Sequence, residues 1–470
     1  MNNTKLAMLV LLLAAMTPEN AYAYLDPASG NAITSFFIAL FGSAIFFLKS
    51  IFYKVFSRSS PETKLENRDN SERPMPVIFS EGKTYWTTFR PIVEELINKR
   101  IHFRYVTLDV HDPGLEIDNV YMHSRRFPKS RLGFAKIANI ESPVMLSTTP
   151  NIGSAGYPMD RPVRVKNLVH VFHAMVDLSC YRKGSLDFYD TVLMTGPHEE
   201  QFIRLVEKAR NLEKKALILA GLPCLDDLNR QKNELEIELK KTAEKTVLIA
   251  PSWGEKGCFS EYGTDFVKTL AAANYRVIIR LHPHSFIFEP DAVERWAAET
   301  KDLDNVIWDD NVFGTQAMAQ ADILISDVSS IRFDFAFLYR RPVITLPILR
   351  QNRSIFESDY MQETWADVMS EKIGVVVNSD RLDVIDQVVE EAIVHFTTKN
   401  FGELRGASVV NFGNSAVAIV AYLNQQVELL SMTASERSLK QQIDTLKHEM
   451  TDLRQQLSQS EIDGFKDFSK

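Results

Sequence analysis

Polar side chains that can handle a phosphate follow four apolar runs of strand length. They are His173, then Ser252, then Arg280 with His282, and finally Asp327 with Ser329 and Ser330. Open α/β sheets bind their ligands just beyond the carboxyl ends of the strands. Each of these loops is therefore a candidate site for a ligand that carries a phosphate.

The last of these loops lies between the predicted strand Ile323–Ile325 and the predicted helix Ile331–Leu338. Serine hydroxyls and free backbone N–H groups at the positive end of a helix dipole suit a phosphate. The same serines could simply cap the helix. These residues alone leave both interpretations open.

The two preceding loops carry complementary groups. Ser252 could donate to a phosphate, and Trp253 could wall a nucleotide pocket. Arg280 offers a planar fork for phosphate oxygens, and His282 can donate a hydrogen bond or act as an acid near neutral pH. The alternative for Arg280 is an ion pair with a surface carboxylate.

The first loop contains two histidines on one predicted strand. Side chains three residues apart on a strand point to opposite faces, so only one of them can reach a given cleft. His173, at the strand end, is the better catalytic candidate, and His170 is predicted to lie in the core. A lone histidine is more often structural.

Length and composition narrow the class of protein. A chain of 470 residues predicts two or three domains, and a net charge of -8 argues against non-specific binding of nucleic acid. The cysteines show neither disulfide nor zinc spacing. The acidic pair Asp309-Asp310 follows a different strand and stands alone, so neither a metal nor a cofactor is required.

The N-terminal segments predict a membrane anchor. Residues 1–23 resemble a signal peptide ending at Ala21-Tyr22-Ala23, and residues 24–56 form a membrane segment whose basic flank includes Lys49 and Arg58. The positive-inside rule then places the C-terminal part at the cytoplasmic face of the inner membrane. An uncleaved first segment would give a helical hairpin and the same outcome.

The remaining chain divides by its periodicity. Residues 57–76 form a linker, 77–225 and 246–425 are two α/β units with parallel sheets, and 226–245 form a polar connecting helix. Residues 426–470 are predicted to form a coiled coil that makes a homo-oligomer, or else a helix that folds back onto its own domain. Its apolar seam is Leu439, Ile443, Leu446, Met450, Leu453 and Leu457.

The order and spacing of the four loops from Val163 to Leu346 resemble the CDP-glycerol glycerophosphotransferases. Arg280–Pro283 matches the family's arginine-x-histidine-proline element. The three other elements correspond to Phe172–Ala174, Ala250–Trp253 and Asp327–Asp334. The sequence departs from the family pattern at Ala174, Val328 and Gly254, which bears on the donor and acceptor.

The resemblance implies a GT-B fold of two facing Rossmann-like domains, with the nucleotide on the second and the acceptor entering from the first. It implies transfer of glycerol phosphate, or a related polyol phosphate, from a CDP-alcohol to a polyol phosphate or glycan acceptor in cell-surface polymer synthesis. His173 and His282 would be catalytic. The substrate would be bound by Ser252, Arg280, Asp327, Ser329, Ser330 and Asp334.

Within that set, Asp327 is expected to orient its loop and Asp334 to brace the helix. Two other classes of function remain open at this point. One is a GT-B glycosyltransferase that uses a nucleotide sugar. The other is a membrane-tethered scaffold without activity, which would use the C-terminal coiled coil to assemble its partners.

Overall fold

The computed structural model describes residues 74–450, except 177, 236–243, 255–256, 312–313, 349–355, 362, 434–435, 437–438, 441, 444 and 448–449. The predicted signal and membrane segments, and the linker up to residue 73, lie outside the described residues. Of the helices described, none is long and apolar enough to cross a membrane.

In the described part of the first α/β unit, seven parallel strands form one sheet in the order β3-β2-β1-β4-β5-β6-β7. The strands are β1 Val77–Ser80, β2 Phe103–Thr107, β3 Met122–Arg126, β4 Ser142–Ser147, β5 Val165–Val171, β6 Thr191–Met194 and β7 Ala216–Leu219. The helices are α1 Trp86–Asn98, α2 Arg131–Ala138, α3 His198–Ala209 and α4 Pro223–Leu235. Strands β1 and β4 are buried along their whole length, as expected for a parallel sheet covered on both faces.

The second unit contains six described parallel strands in the order β10-β9-β8-β11-β12-β13. They are β8 Thr246–Ile249, β9 Arg276–Ile279, β10 Val306–Trp308, β11 Ile323–Ser326, β12 Val343–Thr345 and β13 Gly374–Val376. Its helices are α5 Cys258–Tyr262, α6 Asp265–Ala272, α7 Ser285–Phe288, α8 Pro290–Thr300, α9 Thr315–Gln320, α10 Ile331–Tyr339, α11 Trp365–Ile373, α12 Ile385–Phe396 and α13 Phe401–Ser408. The two parallel α/β units that the alternating pattern predicted are confirmed.

The closing helix α14, Ser415–Ser431, belongs to the first unit and not to the second. Its buried residues Ile419 and Leu423 share an apolar cluster with Ile78 of β1 and Phe89 of α1. The predicted second unit, 246–425, therefore ends too late. Sequence periodicity shows that a helix is amphipathic, but it does not show which sheet that helix covers.

The helix predicted as a polar connector at 226–245 begins at Pro223, and the start of this helix, α4, is buried. Asp227 accepts hydrogen bonds from Arg90 of α1. Asp226 accepts from the backbone N–H groups of Gly413, at 2.6 Å, and of Ser415, at 2.9 Å. These carboxylates thus tie α4 to α1 and to the start of α14.

A short segment of the second unit, Phe356–Tyr360, is held against the first unit by buried charge. Glu357 is 1% exposed, and its Oε1 accepts from Gly184 N at 2.9 Å and from Arg210 Nη1 at 3.2 Å. Lys183 and Asp359 form an ion pair at 2.6 Å nearby. The Glu357 contact that joins the two α/β units is therefore shielded from water, whereas the Lys183–Asp359 ion pair is partly exposed.

Helix α14 ends at Ser431, Met432 is extended, and the described tail residues from Glu436 to Met450 are helical. The seam residues Leu439, Ile443, Leu446 and Met450 are exposed, and Leu453 and Leu457 lie outside the described residues. An exposed apolar seam does not fold back onto its own domain in this structure. Self-association through the coiled coil stays a prediction.

Candidate active site

Three of the four predicted loops meet because their strands are neighbours. Strand β8 lies between β9 and β11, and Ile249 of β8 pairs with Ile279 of β9 and with Ile325 of β11. The loops that carry Arg280 and His282, Ser252, and Asp327 to Ser330 follow these strands at the same edge. The fourth loop, with His173, follows β5 of the first sheet at that sheet's carboxyl edge.

Asp327 organises two of these loops. Its carboxylate is fully buried and accepts hydrogen bonds from the backbone N–H groups of Ser252 at 2.9 Å, Cys258 at 3.0 Å and Ser329 at 3.2 Å. A buried carboxylate is stable only when such donors surround it. Asp327 therefore takes the loop-orienting position that the sequence predicted, and direct contact of its carboxylate with the substrate stays a prediction.

The helix-cap interpretation of the two serines does not hold. Ser330 occupies the N-cap position of α10 with helical backbone angles, φ -64° and ψ -21°, and its side chain makes no capping hydrogen bond. Within the described part of the chain, neither Ser329 Oγ nor Ser330 Oγ has a hydrogen-bond partner. Both hydroxyls are thus available to an anion at the positive end of α10.

His282 is oriented by its own turn. The backbone N–H of His284 donates to His282 Nδ1 at 3.1 Å, so the neutral ring carries its proton on Nε2. Burial, and secondarily the neighbouring His284, lowers the pKa of His282 to about 4. At neutral pH the ring is therefore an uncharged donor through Nε2, and an approaching anion raises that pKa by favouring the charged form.

An aromatic surface adjoins His282. Trp253 is 44% exposed, stacks on Phe288 with ring centroids 5.3 Å apart, and meets His284 edge-on at 4.9 Å. The following Gly254 has φ 113°, a value that favours glycine, and its N–H donates to Glu289. The departure from the family pattern at Gly254 therefore matches the backbone conformation of this loop.

Arg280 does not present a free guanidinium fork. Its Nη1 lies 2.7 Å from Asp309 Oδ2 and 2.9 Å from the carbonyl oxygen of Asn311, and both charged side chains are largely buried. This ion pair is the carboxylate-partner alternative that the sequence left open, and direct phosphate binding by Arg280 stays a prediction. The pairing arises because β10, which leads into Asp309, lies beside β9, a neighbour relation that the sequence does not reveal.

His173 lies at the carboxyl end of β5 beside an aromatic wall. The Tyr85 ring meets it edge-on, with centroids 5.1 Å apart, and burial lowers the pKa of His173 to about 4. Its Nδ1 is buried without a hydrogen-bond partner among the described residues, so Nε2 is the nitrogen that can meet a substrate. His170 is fully buried and lies 3.2 Å from the Tyr181 hydroxyl, as expected for a core residue.

Asp334 lies one turn into α10 and faces the connecting helix. It is an electrostatic neighbour of Cys224 on α4, and burial raises the pKa of Asp334 to about 7. Its Oδ1 has no hydrogen-bond partner in the described structure. This position is consistent with the expected bracing role, and the place of Asp334 among the substrate-binding residues stays a prediction.

Sequence reasoning missed a second polar group in the first unit. Glu81 follows β1 and accepts a hydrogen bond from the Tyr157 hydroxyl, and Tyr85 lies between this pair and His173. The only signal was the position of Glu81 at a strand end. Among the described residues there is no group of three or more histidine, cysteine or acidic side chains that could hold a metal ion.

Comparison with known proteins adds a family and a fold. Residues 179–402 match the family model of CDP-glycerol:poly(glycerophosphate) glycerophosphotransferase, which spans the three loops of the second unit but not His173. No curated protein sequence matches the chain.

Solved structures resemble the chain at low sequence identity. The wall teichoic acid polymerase TagF superposes with a TM-score of 0.50 at 14% identity over 82% of this chain and 98% of its own. A TagF variant soaked with CDPG superposes over the same shares with a TM-score of 0.52, also at 14% identity. The UDP-GlcNAc 2-epimerase from Neisseria meningitidis gives 0.50 at 13% identity over 75% of this chain and 99% of its own. These likenesses establish the fold alone.

Proposed function

Because the chain belongs, through residues 179–402, to the CDP-glycerol:poly(glycerophosphate) glycerophosphotransferase family, we propose that it transfers glycerol phosphate, or a related polyol phosphate, from a CDP-alcohol to an acceptor hydroxyl. CMP is the leaving product, and the reaction serves cell-surface polymer synthesis. The observation that carries the proposal is the Ser329–Ser330 turn at the start of α10, whose two hydroxyls have no hydrogen-bond partner among the described residues. His282, which is oriented as a donor, follows a strand of the same sheet.

The diphosphate of the donor binds at the second unit. Ser329 and Ser330 donate their hydroxyls, Ser252 adds a third from the loop tied to Asp327, and the dipole of α10 favours the negative charge. His282 donates Nε2–H to a phosphate oxygen. The buried Asp327 carboxylate holds the loops of Ser252 and Ser329, and the His284 N–H orients His282, so little reorganisation accompanies binding.

The acceptor enters from the first unit, where His173 takes the proton of its attacking hydroxyl through Nε2. The acceptor oxygen forms a bond to the β-phosphorus as the bond from that phosphorus to the CMP oxygen breaks. The electron pair leaves with CMP, and the hydroxyl proton resides on His173. The depressed pKa of His173 keeps the ring neutral, and therefore able to accept, at physiological pH.

Arg280 acts in this proposal by positioning. Its ion pair with Asp309 holds the turn after β10 against the site, and Gly314 leaves room for the side chain, since a Cβ there would lie 2.9 Å from Arg280 Nε. Asp334 supports α10 from the side of the connecting helix.

We further propose that residues 1–56 anchor the enzyme in the inner membrane with its catalytic part facing the cytoplasm, and that the tail forms a homo-oligomer. Deleting residues 1–56 is expected to move the protein from the membrane to the soluble fraction. Deleting residues 426–470 is expected to lower the molar mass measured by light scattering. A full-length chain already in the soluble fraction, or a mass that does not change, would refute the respective assignment.

The test of the chemistry is release of CMP from CDP-glycerol in the presence of a glycerol phosphate oligomer. His173→Ala and His282→Ala are each expected to reduce turnover by about 100-fold or more, the usual contribution of general acid–base catalysis and of one preorganised donor. His395→Ala, at an exposed position on α12, is the matched control. Wild-type turnover in either site variant, with the fold intact, would remove that histidine from the mechanism.

A further inference from the structure

Glu81 stands on a rigid turn at the carboxyl end of β1. The Ser80 hydroxyl accepts from Gly82 N at 3.1 Å, and Asp109 Oδ2 accepts from Lys83 N at 3.1 Å. Gly82 has φ 144°, and a Cβ at that position would lie 2.6 Å from the Cβ of Asp109. The backbone on either side of Glu81 is therefore fixed, and its side chain is presented to the carboxyl edge of the first sheet.

Two phenols, those of Tyr157 and Tyr85, interact with the Glu81 carboxylate. The Tyr157 hydroxyl donates to Glu81 Oε1, and burial together with Glu81 raises the pKa of Tyr157 well above its ordinary value. The same two causes raise the pKa of Tyr85 to about 12, and the Tyr85 ring touches His173. Among the residues that the structure describes, no arginine, lysine or histidine forms an ion pair with Glu81.

Two buried threonine hydroxyls at this edge have no hydrogen-bond partner among the described residues. Strand β4 pairs with both β1 and β5, through Phe79↔Ser147 and Ser147↔His170, so the residues that follow it lie between Glu81 and His173. Thr148 and Thr149 follow β4, are at most 1% exposed, and their Oγ1 atoms make no hydrogen bond in the described structure. Buried polar groups are seldom left unsatisfied without a reason.

We propose that Glu81, Tyr85 and Tyr157 form the subsite that binds the hydroxyl-bearing end of the acceptor and presents it to His173. The carboxylate accepts a hydrogen bond from one hydroxyl, and the phenols complete the contact, while an adjacent hydroxyl lies toward His173 Nε2. This assignment rests on the proposed function and adds the substrate class of the acceptor end.

The charge of the subsite selects among acceptors. An uncompensated carboxylate flanked by un-ionised phenols attracts hydroxyl donors and repels a phosphate at the same position. The acceptor end is therefore an uncharged polyol with at least two free hydroxyls, and its nearest phosphate lies beyond reach of Glu81. A chain end carrying a phosphate monoester is excluded by the same repulsion.

The experiment measures binding of a glycerol phosphate oligomer with a free glycerol end to the full chain by calorimetry. Glu81→Gln and Tyr157→Phe are each expected to weaken binding at least about tenfold, the value of one charge-assisted hydrogen bond. Glu213→Gln, which alters an exposed carboxylate of the same unit, is the control. The same oligomer ending in a phosphate monoester is expected to bind the wild-type chain at least about tenfold more weakly.

Kinetics separate this inference from the proposed function. In CMP release, the two variants are expected to raise the KM for the oligomer and leave the KM for CDP-glycerol unchanged. Oligomer binding equal to that of Glu213→Gln, or equal binding of both oligomer ends by the wild-type chain, would overturn the subsite. Absence of CMP release by the wild-type chain, with binding that still depends on Glu81, would instead refute the proposed chemistry.

Discussion

Replacing Asp327 by asparagine tests whether one buried carboxylate organises the donor site. The carboxylate accepts three backbone N–H groups, from Ser252, Cys258 and Ser329. An asparagine side chain of the same shape has one oxygen and one NH₂ group. If its oxygen serves Ser252 and Ser329, its NH₂ group must face the N–H of Cys258, and two donors then oppose each other.

The expected cost follows from these contacts. A buried N–H left without an acceptor costs about 1–3 kcal/mol, and a hydrogen bond to a neutral acceptor is weaker than one to a charged acceptor by about 1 kcal/mol. Asp327→Asn leaves the Cys258 N–H without an acceptor and weakens the hydrogen bonds from the N–H groups of Ser252 and Ser329. We therefore expect the free energy of unfolding of the second unit to fall by about 3–5 kcal/mol.

The assay is urea unfolding followed by tryptophan fluorescence, because Trp253, Trp296, Trp308 and Trp365 all lie in the second unit. Asp265→Asn is the control, since that side chain is 89% exposed and its ion pair with Lys268 is worth little. Asp327→Asn is also expected to abolish the rise in Tm that CDP produces. A loss of stability no larger than that of the control, with the CDP effect intact, would refute the organising role of Asp327.

Three further predictions concern titration and ligand choice. Acidification should destabilise the fold, because buried histidines whose folded pKa values are near or below 4 must stay neutral. The stability that is present above pH 6.5 is lost as the pH falls towards 4. At pH 5 the free energy of unfolding measured by urea titration should be lower by about 2 kcal/mol per fully buried histidine, and by less for the partly solvated His282. These histidines are His170, His173, His198 and His282. Asp334→Asn should raise the free energy of unfolding by roughly 2–4 kcal/mol at pH 8 and change it little at pH 4. The reason is that burial penalises the ionised carboxylate as the pH rises through its folded pKa of about 7. Equal effects at both pH values would contradict this. Cytidine nucleotides should raise Tm more than uridine or guanosine nucleotides, and the reverse order would favour a nucleotide-sugar transferase.

Local sequence determined the strands and the loops that follow them. The strand before Asp327 and helix α10 after Ser330 each lie within one residue of the bounds predicted from the sequence. Apolar runs of strand length, turn residues and helical periodicity act over a few residues, so they can be read directly. The amino-acid sequence alone therefore places the candidate loops at strand ends.

Neighbour relations in space were decided by the tertiary structure. The sequence separates Arg280 from Asp309 and Glu81 from Tyr157, yet strand order and loop packing bring each pair into contact. It also does not show that α14 returns to the first sheet. Such contacts depend on which strands are adjacent, and strand order leaves no periodic trace in the chain.

The paired serines show both contributions together. Residue types and spacing determined that Ser329 and Ser330 stand between a buried strand and the start of a helix. Only the folded chain decided that neither caps the helix, because Ser330 at the N-cap position adopts helical backbone angles and α10 has no side-chain capping hydrogen bond. Hydroxyl direction depends on backbone angles set by contacts distant in sequence, so the choice between cap and anion site required the tertiary structure.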